Sequence, residues 1–291
     1  MVDMEVQHHI NTQLWPRGEN VSFQDRDGKR YLQCTLALDR SYELAAAYTY
    51  APHTAFMNLK SDKELAQFVH AWGPLRLPDA ERARAFSTMR LDWCWAFQRR
   101  FTAFGRLLES FGRAEEERTR LREYLAMSEE ESKVRELGPA SQTVLVATWL
   151  ETDSLAHQLA AKAHGTDILI QVIGPWLEKA NTESVRGVAA YLIEHVSYAP
   201  PAYIKAEWKG LRSRITATLG LENLEDALEW MIWNSYWLKD PLMFCRECHK
   251  AFRPETSHRR KFDTPECAHR ATARNWRRKD LRRRRISRKG K

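Results

Sequence analysis

The sequence predicts a mainly α fold: a helical body with a small N-terminal β-hairpin element, then a compact cysteine-bearing module that ends in a basic helix. Three observations carry this. Apolar residues recur at helical spacing through the middle of the chain, an Asp-Gly step separates two β-rich runs near the start, and three of five cysteines fall with eighteen Lys/Arg after position 244. A length of 291 residues and a hydrophobic share of 43% suffice for one sizeable core plus a small appended module. We divide the chain into a body over 1–240, regulatory or interacting in role, and a C-terminal module over 241–291.

The hairpin is expected where Val21-Ser22-Phe23 and Tyr31-Leu32-Gln33-Cys34-Thr35-Leu36 flank Asp25-Arg26-Asp27-Gly28. Tyr48-Thr49-Tyr50-Ala51-Pro52 reads as a loop closed by its proline. Ser61-Asp62 caps a helix carrying Leu65, Phe68, Val69 and Trp72, which Gly73-Pro74 stops. Pro78 then opens a long periodic segment with the stripe Phe86, Met89, Trp93, Phe97, Phe101, Phe104, Leu108 and Phe111. Its steps of three and four residues suit an α-helix, and the stripe reads as core packing rather than a cofactor box. A homodimer seam is the other use of such a stripe. Glu115-Glu116-Glu117 and Glu129-Glu130-Glu131 read as solvated charge on the end of that helix and the following loop. Helices are further expected over 141–164, 183–196 and 223–238, with Asn223 opening the last and Asp240-Pro241 ending it. The run Ile168-Leu169-Ile170-Gln171-Val172-Ile173 has the size of a buried strand or helix segment, and Ala199-Pro200-Pro201 punctuates the chain before Trp208.

No apolar run reaches the roughly 20 residues that span a bilayer, and Met1-Val2-Asp3-Met4-Glu5 lacks the layout of a signal peptide. The expectation is therefore a cytoplasmic protein without a membrane partner. Residues 1–244 contain no GxGxxG, P-loop, GxSxG or HExxH pattern. His8-His9 sits in what reads as a mobile N-terminus, and His157, His164 and His195 are scattered without a carboxylate at ligand spacing. The chain reads as a binding protein, not an enzyme.

The net charge of +8 is unevenly shared: residues from Cys245 onward carry +13 and those before it −5. A mildly acidic body with a strongly basic end points to a polyanion at that end, nucleic acid before an acidic membrane surface. Within it, Cys245-Arg246-Glu247-Cys248 can present two thiolates to one ion, and Cys267 supplies a third. Thr264 as N-cap, Pro265 as first helical residue and Glu266 at the positive end of the dipole place Cys267 in the first turn of a helix. A knuckle, an excursion containing Phe252 and a ligand-bearing helix form a treble-clef-like layout, with zinc the expected ion. The fourth ligand is open among Asp263, His258, His269 and His249. Cys34 and Cys94 are expected to be buried free thiols.

These C-terminal positions, about a sixth of the chain, resemble the CGNR-type zinc fingers of bacterial putative transcriptional regulators. Cys267-Ala268-His269-Arg270 stands in the CGNR place, and Ala271, Ala273, Arg274, Trp276, Arg277 and Arg278 match the helix that follows. Phe262 occupies the aromatic slot, and Asp263 stands where that family has its third cysteine. The resemblance implies a zinc site of Cys245, Cys248, Cys267 and Asp263 and a DNA-binding transcriptional regulator. Charge leads the same way without it. Arg270, Arg274, Arg277, Arg278, Lys279, Arg282, Arg283, Arg284 and Arg285 are the expected nucleic-acid contacts, DNA ahead of RNA. The alternative is an RNA-associated or protein-interaction adaptor whose finger is purely structural.

Overall fold

In the computed structural model, strands β2 (Leu14–Arg26) and β3 (Lys29–Glu43) pair antiparallel across a turn in which Arg26 faces Lys29. The two turn residues, Asp27 and Gly28, have φ of 52° and 70°. Positive φ at both positions matches the twist of the flanking strands, and an Asp-Gly pair supplies it. The hairpin is thus where the sequence places it, and longer. The structure describes residues 5–11, 14–44, 46–77, 86–111, 113–137, 168–196, 202–209, 212–220, 223–237, 242–254 and 261–289.

A third strand, β4 (Phe86–Arg90), joins β3 on its other edge. Phe86 and Met89 are therefore strand residues, not the start of a helical stripe. Their spacing of three fits a helix, but burial alternates, with Ser87 and Met89 inside and Phe86 outside. Helix α3 begins only at Leu91 and runs to Ser110. Its Phe97, Phe101, Phe104 and Leu108 are buried, so this part of the stripe is spent within the core. The expected helix start at Pro78 lies outside the described residues.

Before the strand, a one-turn 3-10 helix (Ala46–Tyr50) leads into α1 (Pro52–Met57). Pro52 opens this helix rather than closing a loop, because a missing N–H costs nothing at the first helical position. Helix α2 (Asp62–Trp72) is capped by Ser61, whose Oγ accepts from Glu64 N at 3.3 Å.

Helix α4 (Ala114–Val134) packs against α3 and carries both glutamate runs within one helix. Neither run is wholly solvated surface: Glu117 is 0% exposed and Glu131 is buried. Glu131 is held by Arg100 and, at 3.1 Å, by Arg135, while Arg100 also reaches Glu229 at 2.5 Å. Helices α5 (Ile168–Lys179) and α6 (Thr182–Val196) follow, burying Trp176, Leu177, Val188 and Leu192. The helix expected over 141–164 lies outside the described residues.

A second sheet, in the order β1-β6-β5, joins β1 (Glu5–Asn11), β5 (Ala202–Lys209) and β6 (Arg212–Gly220). His8 and His9 are in β1, parallel to β6 opposite Ala217 and Thr218, rather than in a loose N-terminus. Helix α7 (Leu224–Trp237) starts at Asn223, whose Oδ1 accepts from Asp226 N at 2.9 Å. No helix among the described residues is long and apolar enough to cross a membrane.

The C-terminal module comprises β7 (Met243–Phe244), β8 (Ala251–Phe252) and α8 (Pro265–Lys289). Leu242, Phe244 and Ala251 belong to the same buried cluster as Trp15, Phe56 and Phe101. Close approach is possible because residue 105 of α3 is glycine. A Cβ there would lie 3.0 Å from Leu242 Cδ2 and 2.8 Å from Met57 Cε. The small hairpin of the module is thus seated on the body.

Candidate metal centre

Strands β7 and β8 pair with Met243 opposite Phe252 and Phe244 opposite Ala251, and the turn between them holds Cys245 and Cys248. Two backbone bonds close the turn: Cys245 N donates to Lys250 O at 2.8 Å, and His249 N to Cys245 O at 2.9 Å. His249 takes a φ of 60° to allow it. Arg246 N donates to Lys261 O at 3.0 Å and thereby ties the segment before α8 to the knuckle. At the head of α8, Cys267 N donates to Thr264 Oγ1 at 3.3 Å, the cap expected from Thr264-Pro265-Glu266.

These ties bring donor atoms of Cys245, Cys248, Asp263 and Cys267 all within 4.8 Å of one another. Donors about 2.3 Å from a shared ion would sit roughly 3.8 Å apart in a tetrahedron, so the cluster can hold a metal ion. Asp263 is the fourth donor brought to the group. His249 and His269 are exposed and outside it, and His258 lies outside the described residues.

The chemistry of the cluster suits a cation. Burial pushes the Cys245 thiol up, but backbone hydrogen bonds at Cys248, Asp263 and Glu247 outweigh it and hold the thiol below its usual range. Burial drives the Cys248 thiol the other way, to about 12, helped by its bonds to Cys245, Cys267 and Asp263. Three thiolates and a carboxylate cannot all carry charge at such distances without a positive centre between them. Asp263 Oδ2 lies 3.4 Å from Cys248 Sγ, whereas Asp263 Oδ1 is buried and has no hydrogen-bond partner. An orphaned buried carboxylate oxygen beside three thiols is what a coordinated ion would satisfy. The other cysteines serve differently: burial raises the thiols of Cys34 and Cys94 to about 11 and 12, and both are free and buried.

The basic helix divides in two. Arg270 Nη2 lies 3.0 Å from Cys267 Sγ, and Arg274 Nη2 donates to Glu247 Oε1 at 2.6 Å. Arg274 therefore braces α8 against the knuckle, while Arg270 stays within α8 and caps the Cys267 sulfur. Glu247 was not singled out by the sequence; its position between the paired cysteines was the available signal. Beyond Ala271, every side chain from Thr272 to Leu281 is exposed, including Arg277, Arg278 and Lys279. Arg282, Arg283, Arg284 and Arg285 continue the helical backbone, which runs to Lys289. No family model matches the sequence, and comparison with curated proteins and with solved structures finds no match.

Proposed function

We propose that this chain is a nucleic-acid-binding protein, a DNA-binding transcriptional regulator acting through a treble-clef-like zinc finger and the helix α8 that follows it. The observation that carries the reading is the exposure of α8 on all sides from Thr272 to Leu281, in a stretch with Arg277, Arg278 and Lys279 against Asp280. A helix exposed all round gains nothing from the core it leaves. Eighteen residues, 272–289, at 1.5 Å each make an arm about 27 Å long, which can track a line of phosphates. DNA is favoured over RNA because the major groove of B-form DNA admits a helix, whereas that of A-form RNA is deep and narrow.

Zinc would be held by Cys245, Cys248, Cys267 and Asp263, as a closed four-coordinate ion that fixes the direction of α8 rather than performing chemistry. Arg270 and Arg274 then serve orientation, and Arg277, Arg278, Lys279 and the arginines after them serve phosphate contact. The body supplies a rigid seat for the finger.

Gel-shift titration of duplex DNA at 50 and 200 mM salt tests the reading. Contact with 6–10 phosphates predicts a loss of affinity of about 10³–10⁵ between the two. No retention at 50 mM would sink the proposal.

A further inference from the structure

Trp276 is 69% exposed on α8, the most exposed tryptophan among the described large apolar side chains. Its place on the helix is set by Cys267. Nine residues at about 3.6 per turn amount to two and a half turns, so Trp276 projects from the side opposite the buried cysteine. Arg270, Ala271 and Arg274 lie on the inner half with Cys267; Arg270 bonds the Cys267 sulfur and Arg274 bonds Glu247 of the knuckle. The outer half carries Thr272, Ala273, Trp276, Lys279 and Asp280. An indole standing outward there makes no contribution to the core, and leaving so large an apolar surface in water is unfavourable.

We infer that Trp276 is a base-stacking platform, and that the nucleic acid bound by α8 presents it with an unstacked base. The inference rests on the nucleic-acid reading above and deepens it. Ten Lys/Arg against one acidic residue follow Trp276 in the chain, so the occupant of this face is a polyanion. Among polyanions, a nucleic acid joins regularly spaced phosphates to flat apolar rings, matching an indole flanked by cations. The unstacked base comes either from a single strand or from a duplex step opened by insertion of the indole.

The full-length protein is titrated into a single-stranded DNA, its duplex and heparin, a polyanion without bases. The DNAs carry 2-aminopurine, whose fluorescence reports stacking. Trp276→Ala is expected to bind the stacked form about 5- to 150-fold more weakly, while Trp276→Phe keeps most of the affinity. Heparin affinity and the salt slope stay unchanged, because both count charges. Loss confined to the single strand identifies that source. Loss on the duplex, with a 2-aminopurine signal abolished in Trp276→Ala, identifies the opened step. If Trp276→Ala matches the wild type on both DNAs while Arg277→Gln/Arg278→Gln/Lys279→Gln loses binding, the stacking role is wrong and the nucleic-acid reading stands. An equal loss on heparin also overturns the stacking role. Failure of the wild type to bind either DNA at 50 mM salt overturns both.

Discussion

The side-chain amide of Asn58 grips the backbone of Ala251 at both polar atoms: Nδ2 donates to its carbonyl and Oδ1 accepts from its N–H, each at 2.8 Å. Asn58 ends α1, and Ala251 lies 193 residues later in β8, so the amide stands in for one more strand along the small hairpin. Arg253 adds a bond to Tyr48 O at 3.0 Å and lies 4.4 Å above the Tyr48 ring. Because Ala251 is buried, Asn58→Ala leaves its N–H and C=O unsatisfied. The expected cost is about 2–3 kcal/mol in urea unfolding, with faster amide exchange at Ala251. Asn58→Asp sets an oxygen against the Ala251 carbonyl and is expected to be at least as damaging. Unchanged exchange in both variants would show that the docking rests on Phe244 and Leu242 alone.

In the proposed zinc site, the Asp263 carboxylate would set how tightly the ion is held. Removing a donor in Asp263→Ala is expected to weaken zinc retention about tenfold or more in competition with a chelator. Asp263→Cys, which offers the softer thiolate, is expected to tighten it. Because coordination by the proposed ligands would join the knuckle to α8, stripping the ion is expected to lower the melting temperature as well. Metal analysis that finds no zinc in the wild type, or the same affinity in Asp263→Ala, contradicts the ligand assignment.

What the sequence discloses here is what short-range chemistry writes. The Asp27-Gly28 turn, the caps at Ser61, Asn223 and Thr264, and the Cys-x-x-Cys knuckle each need only a few adjacent residues, and all are found where their residues imply. Strand β4 escapes because five residues carry too little pattern to separate a period of two from one of 3.6. Strand β1 escapes for another reason: its partner β6 is some two hundred residues away, and nothing local marks Glu5–Asn11 as half of a pair. The glutamate runs mislead because their buried members are neutralised from other helices, by Arg100 of α3 for Glu131 and by Arg186 of α6 for Glu117. Asn58 and Glu247 are single polar residues whose work depends on what they face, and a one-dimensional reading cannot see that.

Arg100 is the pin between helices α3, α4 and α7. Its guanidinium bonds Glu131 and Glu229, and all three side chains are about nine-tenths buried. Arg100→Met leaves two carboxylates confined without that cation, which is expected to cost about 3–5 kcal/mol. Adding Glu131→Gln and Glu229→Gln removes the stranded charge and is expected to restore part of the loss. Urea titration of the single and triple variants measures both. A single variant within about 0.5 kcal/mol of the wild type would mean the ion pairs carry no net weight.

His53 couples the stability of the same region to pH. It is 0% exposed, its two ring nitrogens have no hydrogen-bond partner, and its ring stacks on Tyr48 with centroids 5.8 Å apart and planes 3° from parallel. Burial, and secondarily the charge of Arg253, lower its pKa from 6.5 to about 3. A histidine held neutral in the fold takes up its proton first in the unfolded chain, so stability is full above pH 6.5 and falls as pH drops toward 3. The slope approaches about 1.4 kcal/mol per pH unit, or about 2 kcal/mol between pH 6.5 and 5. His53→Phe keeps the stack on Tyr48 and has no proton to gain. Denaturant unfolding from pH 7.5 to 5 should therefore show a steep decline for the wild type that is missing from the variant. Raised carboxyl values at Glu109 and Glu229 act in the opposite direction near the acid end, but they are common to both proteins and cancel in the difference. Parallel curves for the two proteins would mean that His53 is already protonated, or already hydrated, in the native state.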